Sequence, residues 1–317
     1  MDLSLVIPVK EEEENLPELM KEIVEAITPT GKSFEVIVID DGSRDRSWEV
    51  LVELSKKYDF LRLFRFQFNC GKADALSLGF SKARGELIAT LDGDLQDDPH
   101  EIPKMMKILD DGYDLVSGWK VHRHDPWHKT WPSKLFNLTV SAVCGKRLHD
   151  FNCGIKLYRS SVVRFINLYG DFHRFIPVMA KWQGARVTEM PVTHRARVHG
   201  SSKYGVSRLV SGFLDLLTLL FLNKFATKPL HFFGLFGLIF LLFGAAVFGY
   251  FGVEWLQTGA LHLRPLIVVG GFSLLMGIQL FSLGFLAELF SRNKKQRYPI
   301  AETVRGNVDE MVEVCQV

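Results

Sequence analysis

The sequence predicts an α/β fold built on a mainly parallel, doubly wound sheet and followed by two membrane-spanning helices. Three observations carry this. Short apolar runs alternate with helical patterns from Leu3 to Leu91. Carboxylates or turn residues stand where those runs end, as in Asp40-Asp41-Gly42-Ser43 and Asp92-Gly93-Asp94. Two late stretches, Leu230 to Gly252 and Pro265 to Ala287, contain no Asp, Glu, Lys or Arg.

Taken in order, Leu3 to Val9 reads as a strand and Leu16 to Ile27 as a helix. Phe34 to Ile39 and Arg46 to Lys57 repeat the pair, as do Leu61 to Phe66 and Lys72 to Ala83, before Leu87 to Leu91 closes the series. Strands alternating with helices imply a parallel sheet, whose ligands sit beyond the carboxyl ends of the strands. Asp98-Pro99-His100-Glu101 reads as an N-cap, a proline at the first helical position and a capping-box glutamate. Residues 206–222 hold one acid, Asp215, between Arg208 and Lys224, the pattern of a helix lying along a membrane surface. The expected organisation is a catalytic-type domain over 1–205, an interfacial segment over 206–228, a two-helix membrane domain over 229–290 and a cytoplasmic tail over 291–317, loosely ordered after Pro299.

Each apolar stretch is long enough to cross a hydrocarbon layer of roughly 30 Å. Lys224 and Lys228 precede the first, and Arg292, Lys294, Lys295 and Arg297 follow the second, whereas the connection between them offers only Glu254 and Arg264. Positive flanks stay on the cytoplasmic side, so the expectation is a multi-pass cell-membrane protein with both termini cytoplasmic. Met1-Asp2-Leu3 leads straight into a strand without a basic and apolar leader, which points the same way. Gly270, Gly271 and Gly277 permit close helix packing, including within a homo-oligomer.

The 317 residues, 47% of them hydrophobic, suffice for a full domain core and the added spans. A formal charge of +2, with the basic residues gathered beside the spans, argues against nucleic acid. Cys70, Cys144, Cys153 and Cys315 lack metal or redox spacing, and His122, His124 and His128 stand in a stretch of charges and tryptophans, which reads as an acceptor-side loop and not a zinc site. Neither GxGxxG after the first strand nor GxxxxGK[ST] occurs, which disfavours a dinucleotide cofactor and a P-loop.

The most specific chemistry lies in Asp92-Gly93-Asp94-Leu95-Gln96. Residues two apart on an extended backbone point the same way, so Asp92 and Asp94 face one hard cation, with Gln96 adding a neutral oxygen. Mg²⁺ or Mn²⁺ held there bridges nucleotide phosphates and neutralises a leaving diphosphate. Asp98 already has a capping role; Asp92 and Asp94 have none.

With these loops located, the chain resembles glycosyltransferase family 2, and within it the polyprenyl-phosphate glycosyltransferases typified by dolichol-phosphate mannose synthase. The resemblance runs from about residue 3 to 290. It rests on Val6-Ile7-Pro8-Val9 with Asn15-Leu16-Pro17, Val38-Ile39-Asp40-Asp41-Gly42-Ser43, Asp92-Gly93-Asp94-Leu95-Gln96, Asn152-Cys153-Gly154-Ile155-Lys156-Leu157-Tyr158 and Gly200-Ser201-Ser202-Lys203-Tyr204. It implies a GT-A domain in which Pro8, Val9, Glu12, Asp40, Asp41 and Asp92 bind the donor. Asp92, Asp94 and Gln96 then hold Mg²⁺ or Mn²⁺, and Lys120, Lys134, Arg197, Ser202 and Lys203 meet the acceptor or its phosphate. Asp92, Asp94, Arg197 and Lys203 are the catalytic set.

The chain departs from the pattern at Lys10-Glu11-Glu12, where an aromatic-Asn-Glu is usual, and at Lys120 and Lys134, where arginines are common. Lysine keeps the charge and loses the bidentate fork. Arg197 and Lys203 flank a Gly-Ser-Ser turn whose N–H groups also suit phosphate oxygens.

The implied activity is inverting, metal-dependent transfer of a sugar from a UDP- or GDP-linked donor to a polyprenyl phosphate at the cytoplasmic membrane face. Two other readings stay open at this point. A processive polysaccharide synthase shares such a domain, although its Gln-x-x-Arg-Trp signature is missing here. A non-enzymatic membrane scaffold with a decayed transferase domain is the other.

Overall fold

The computed structural model describes residues 1–121, 148–151, 153–164, 166, 168, 170–195, 207–225, 228–259 and 264–292. His122, His124, His128, Lys134, Asn152, Arg197, Ser202, Lys203 and the tail from 293 lie outside the described residues.

The first half follows the sequence closely: β1 (Leu3–Val9), α1 (Leu16–Ile27), β2 (Phe34–Asp40), α2 (Ser47–Lys57), β3 (Leu61–Arg65), α3 (Lys72–Lys82) and β4 (Leu87–Thr90). Helix α1 forms because Leu16, Leu19, Met20, Ile23 and Ile27 recur at helical spacing, and all five are fully buried against the sheet. At roughly 1.5–3 kcal/mol for each such side chain, this face fixes the helix on the sheet. Helix α2 begins at Ser47, one residue later than Arg46, and the Asp45 carboxylate just before it accepts the Ser47 N–H at 3.1 Å.

The second half holds α4 (Ile102–Asp110), β5 (Leu115–Lys120), β6 (Lys156–Arg159), α5 (Ser160–Val163), α6 (Ile176–Trp182) and β7 (Val187–Val192). A 3₁₀ turn, Pro99–Glu101, precedes α4, and Asp98 caps it by accepting the His100 N–H at 3.0 Å. The capping box does not close. Buried Glu101 instead accepts from Thr193 Oγ1 at 3.1 Å and pairs with Lys104 at 2.8 Å, tying α4 to the chain after β7.

The seven strands form one sheet in the order β3-β2-β1-β4-β6-β5-β7. All neighbours are parallel except β6, which runs antiparallel to both β4 and β5. The reversal lets the chain before β6 arrive at the end where β1, β2 and β4 finish, so loops from both halves meet there.

The chain divides into two compact units, Met1–Leu216 and Leu217–Val317. Helix α7 (Ser207–Phe225) falls within the 206–228 segment expected to be interfacial. Helices α8 (Pro229–Thr258) and α9 (Pro265–Arg292) extend both expected spans. The most apolar 18-residue stretches of the two have mean hydropathies of 2.4 and 2.1, and only 22% and 17% of those stretches are buried. A core helix hides its apolar surface; these expose it, and both are long and apolar enough to cross a membrane. The glycines of α9 are used within the chain: a Cβ on Gly237 of α8 would stand 3.1 Å from the Gly277 carbonyl oxygen, so close approach requires both residues to be small. At the end between the two helices, Arg264 pairs with Glu254 at 2.9 Å.

Candidate active site

The sheet register carries the site. Val9 lies opposite Asp40, so β1 and β2 finish level, and the Asp41 N–H donates back to the Val9 carbonyl at 2.8 Å. The two described non-glycine residues with left-handed backbone, Glu11 and Leu95 at φ 55° and 59°, both lie in loops at this end. Such strain persists only where surroundings enforce it. At Glu11 the cause is visible: its N–H is held by Ser43 Oγ at 2.9 Å.

Asp40 and Asp41 are spent on building the loop. Asp40, fully buried, accepts the Ser43 N–H at 3.0 Å and faces Arg65 Nε at 3.1 Å. Asp41 accepts the N–H groups of Cys70 and Gly71 at 2.7 and 3.0 Å, where α3 begins. Glu12 accepts from Asn15 Nδ2 at 2.6 Å. What these bonds shape is an open cleft of about 740 Å³ walled by Lys10, Glu11, Arg44, Arg65, Gln67 and Phe68, well within the size of small-ligand sites. Pro8, Val9 and Glu12 border the Asp92–Asp94 loop: a Cβ on Gly93 would stand 3.3 to 3.7 Å from atoms of all three.

Beyond β4 the character changes. Asp92 follows the strand and forms an ion pair with Lys72 at the first turn of α3. Burial pushes its carboxyl up, but Lys72, helped by Lys120 and Lys156, overrides that and brings it down to about 2. Asp92 is therefore ionised at neutral pH. Asp94 is buried and accepts the Gln96 N–H at 3.3 Å. The Gln96 side chain turns to the Arg195 carbonyl, to which its Nε2 donates at 3.5 Å, while its backbone N–H meets Asp94.

Sequence reasoning missed four groups here. Asp97 is 1% exposed, neither carboxylate oxygen has a hydrogen-bond partner, and Lys120 Nζ stands 3.3 Å away. Burial pushes the Asp97 carboxyl up, and the charges of Asp92 and Asp94 add to this against the pull of Lys120. Lys120 is likewise placed inside the carboxylate cluster, its ammonium stabilised by Asp97 despite burial. Lys72 and His173 gave no sequence signal. Lys156 did: a lysine between Ile155 and Leu157 breaks an apolar strand that is buried on both sides.

The β6 backbone comes so close that a Cβ on Gly154 would stand 2.3 Å from Asp97 Oδ2 and 2.7 Å from Asp92. Only glycine fits there. On the other side, the Arg195 N–H donates to the Gln96 carbonyl at 3.0 Å, and Asp97 and His194 pair across an isolated bridge. The chain running toward Arg197 thus leaves from the edge of the carboxylate loop.

The donor set fits a divalent cation of the Mg²⁺ type. Two carboxylates two residues apart supply hard oxygens, and beside them both Asp97 oxygens are buried without a hydrogen-bond partner. Among the described residues no group of three or more His, Cys, Asp or Glu is arranged to hold a metal alone. Asp92 and Asp94 would hold it with the remaining ligands coming from a bound phosphate donor and water, the usual way Mg²⁺ is shared with nucleotides.

A mainly parallel α/β sheet with paired aspartates at the strand end, beside a nucleoside-sized cleft, defines a transferase that handles a nucleotide-linked group. The model of the family described as Glycosyl transferase family 2 matches residues 4–166. The chain belongs to that family and is a glycosyltransferase. It is 38% identical over 301 residues to a dodecaprenyl-phosphate galacturonate synthase of Rhizobium johnstonii, covering 92% of this chain and 88% of the relative. It is 33% identical over 318 residues to an undecaprenyl-phosphate 4-deoxy-4-formamido-L-arabinose transferase of Edwardsiella ictaluri, covering 96% and 95%. In fold it is similar to the glucosyl-3-phosphoglycerate synthase of Mycobacterium tuberculosis solved with Mn²⁺ and UDP-glucose. That likeness has a TM-score of 0.51 at 16% identity and spans 70% of this chain and 78% of the other. The fold is thus GT-A, as the sequence resemblance implies.

Proposed function

We propose that the protein transfers a sugar from a nucleotide-diphosphate sugar to a polyprenyl phosphate at the cytoplasmic face of a cell membrane, giving a polyprenyl-phosphate sugar with inversion at the anomeric carbon. The observation that carries the reading is the joining of two features in one chain. A carboxylate corner lies beside a nucleoside-sized cleft, and two outward-facing apolar helices follow it. The names of two relatives matched over nearly their whole length, both polyprenyl-phosphate sugar transferases, support it.

In this reading the nucleoside lies in the cleft formed after β1, β2 and β3, along Pro8 and Val9 and over the loop that Asp40 and Asp41 hold. Asp92 and Asp94, with Gln96 nearby, bind Mg²⁺ or Mn²⁺, which supplies charge stabilisation for the departing diphosphate. Lys120, Lys134, Arg197, Ser202 and Lys203 neutralise and orient the lipid phosphate. Arg197 follows Arg195 by two residues in sequence, and the Arg195 N–H is bonded to the Gln96 carbonyl. A phosphate monoester has a second pKa of about 6, so the nucleophile is already anionic and no histidine base is needed. Positioning and charge complementarity carry the catalysis.

Positive flanks at Lys224 and Lys228, against an Arg264–Glu254 pair that neutralises itself at the opposite end, favour cytoplasmic termini. The domain boundaries at 205, 228 and 290 follow from the same reading. The test is to incubate the purified chain in lipid vesicles with a panel of UDP- and GDP-sugars and with undecaprenyl and dolichyl phosphates, then weigh the lipid products. A single lipid-phosphate sugar that vanishes on chelation and returns with Mg²⁺ or Mn²⁺ supports the reading. A growing polymer would indicate a processive synthase, and no product with any donor would overturn it.

A further inference from the structure

Phe68 stands in the wall of the cleft, just past the end of β3, and is 69% exposed. Among the described residues ahead of α7, the large apolar side chains left exposed are Met1, Phe68 and Val121, and Phe68 is the most exposed of them. A lone exposed phenyl ring is common on protein surfaces. What sets this one apart is the backbone that carries it.

Residues 66–72 form a strap fastened at nearly every step. The Phe66 N–H donates to the Asp40 carbonyl at 2.9 Å. The backbones of Phe68 and Asn69 press on Gly42, where φ is 67° and an added Cβ would stand 2.7 Å from the Phe68 carbonyl carbon. Asp41 accepts the Cys70 and Gly71 N–H groups at 2.7 and 3.0 Å, and Lys72 closes the strap as the ion-pair partner of Asp92. A backbone held this way does not swing its ring inward to recover the burial it forgoes. The ring is instead presented to the cleft in advance, which lowers the ordering cost of binding there.

The strap also indicates which part of the donor meets the ring. Its far end, Lys72, touches the carboxylate that the donor reading assigns to the diphosphate. Strands β3, β2, β1 and β4 are successive neighbours, so at about 4.8 Å per strand the ends of β3 and β4 lie about 14 Å apart. That span is comparable to an extended nucleoside diphosphate. With its phosphates after β4 and its ribose over β1 and β2, such a molecule brings its base to β3, while the sugar to be transferred stays at the phosphate end. A base is flat and presents a π-face that a phenyl ring matches. Gln67 and Asn69, on either side of Phe68 in the same wall, carry amide groups that suit the polar edge of a base.

We propose that Phe68 is the stacking platform for the nucleobase of the sugar donor, with Gln67 and Asn69 meeting the edge of that base. This rests on the donor reading given above and names the contact that anchors the donor at the end remote from the chemistry.

The test uses the full-length protein in lipid nanodiscs with Mg²⁺ and titration calorimetry with UDP, GDP and inorganic pyrophosphate, the last carrying the phosphates without a base. Phe68→Ala should weaken the nucleoside diphosphate that binds by about tenfold, within the range for losing one base–aromatic stack. Phe68→Leu, which keeps apolar bulk and lacks a π-face, should recover only part of the loss, and Phe68→Trp all of it. Pyrophosphate affinity should be the same in all four proteins, and because the ring is exposed the unfolding temperature should hold. Nucleotide affinity unchanged in Phe68→Ala, full recovery by Phe68→Leu, or an equal loss for pyrophosphate would each overturn the platform, the last by making the ring a support of the loop. A fall in transfer to long-chain lipid phosphate with nucleotide affinity intact would move Phe68 to the acceptor and overturn it as well. The donor reading fails differently. If neither nucleoside diphosphate binds the unaltered protein, the reading and the platform fall together; if nucleotide binds through Phe68 and no lipid product forms, the transfer reading falls and the platform stands.

Discussion

The cleft after β1 to β3 and the corner after β4 lie side by side at one end of the sheet, yet they are built on opposite principles. The cleft is roomy and its acids build the wall: Asp40 and Asp41 accept backbone N–H groups. The corner is dense: Asp92, Asp94 and Asp97 crowd against Lys72, Lys120 and Lys156, and neither Asp97 oxygen has a hydrogen-bond partner. Binding a nucleoside needs shape and a few polar contacts, whereas breaking its bond to a sugar moves charge. Buried, incompletely satisfied charge is concentrated where charge changes during the reaction, which is how preorganised electrostatic stabilisation works.

The most severe way to break the corner is Asp94→Asn, which keeps volume and removes a charged ligand. Transfer should fall by about a thousandfold or more, the several kcal/mol that a metal's charge stabilisation supplies. The unfolding temperature should hardly move. Product formation by mass spectrometry, read beside a thermal melt, checks both; near-normal turnover would remove Asp94 from the metal site.

Next in size is Arg197→Ala, expected to cost roughly 2 to 5 kcal/mol in transfer to lipid phosphate, as for other buried charge contacts that lose a partner. Nucleoside diphosphate affinity should stay within twofold if the residue serves the acceptor. Equal losses in affinity and transfer would assign Arg197 to the donor.

Glu35 sharpens the contrast because it is a buried carboxylate with every need met. It accepts from Ser4 Oγ at 2.7 Å, from the Arg84 N–H at 2.7 Å and from Arg62 at 2.6 Å. Burial pushes its carboxyl up, but these bonds outweigh that and hold it below the ordinary value. A depressed folded pKa contributes stability above the unfolded value of about 4.3 and loses it as pH falls through the folded value. Glu35→Gln should therefore destabilise the fold by about 1 to 3 kcal/mol at pH 7, with the difference closing at acid pH and transfer chemistry intact. Unfolding midpoints across pH decide it; a gap that persists at pH 2 would mean that shape, not charge, was lost.

The smallest effect belongs to the cleft. Asp41→Asn leaves one good acceptor for the Cys70 and Gly71 N–H groups, so nucleotide affinity should drop only severalfold, about 1 kcal/mol. Calorimetry with the nucleoside diphosphate measures it. Loss of all binding would mean that Asp41 touches the ligand directly.

The same division governs what the sequence reveals. Strands β1 to β4 were legible because parallel strands buried on both faces read as unbroken apolar runs, with turn residues between them. Strands β5, β6 and β7 were not assigned from sequence. Ser117 and Gly118 dilute the first, Lys156 interrupts the second, and Pro191 breaks the third, where an edge position tolerates it. In the site, Asp92 and Asp94 stood out through their spacing. Asp97 was hidden beside Asp98, whose capping role is evident, and Lys72 is brought to Asp92 only by the α3 register. No local pattern encodes a contact between residues 72 and 92 or between 97 and 120. Such pairs exist only once the sheet has formed.

The central claim is that the carboxylate corner holds a divalent cation jointly with the donor's diphosphate, and Mn²⁺ binding followed by electron paramagnetic resonance tests it without relying on turnover. The account predicts weak binding by the protein alone, since two carboxylates make an incomplete ligand set. Adding the nucleoside diphosphate should strengthen it at least tenfold beyond what the nucleotide achieves free in solution, and Asp94→Asn should abolish that gain. Mn²⁺ affinity indifferent to the nucleotide, or unchanged by Asp94→Asn, would contradict it.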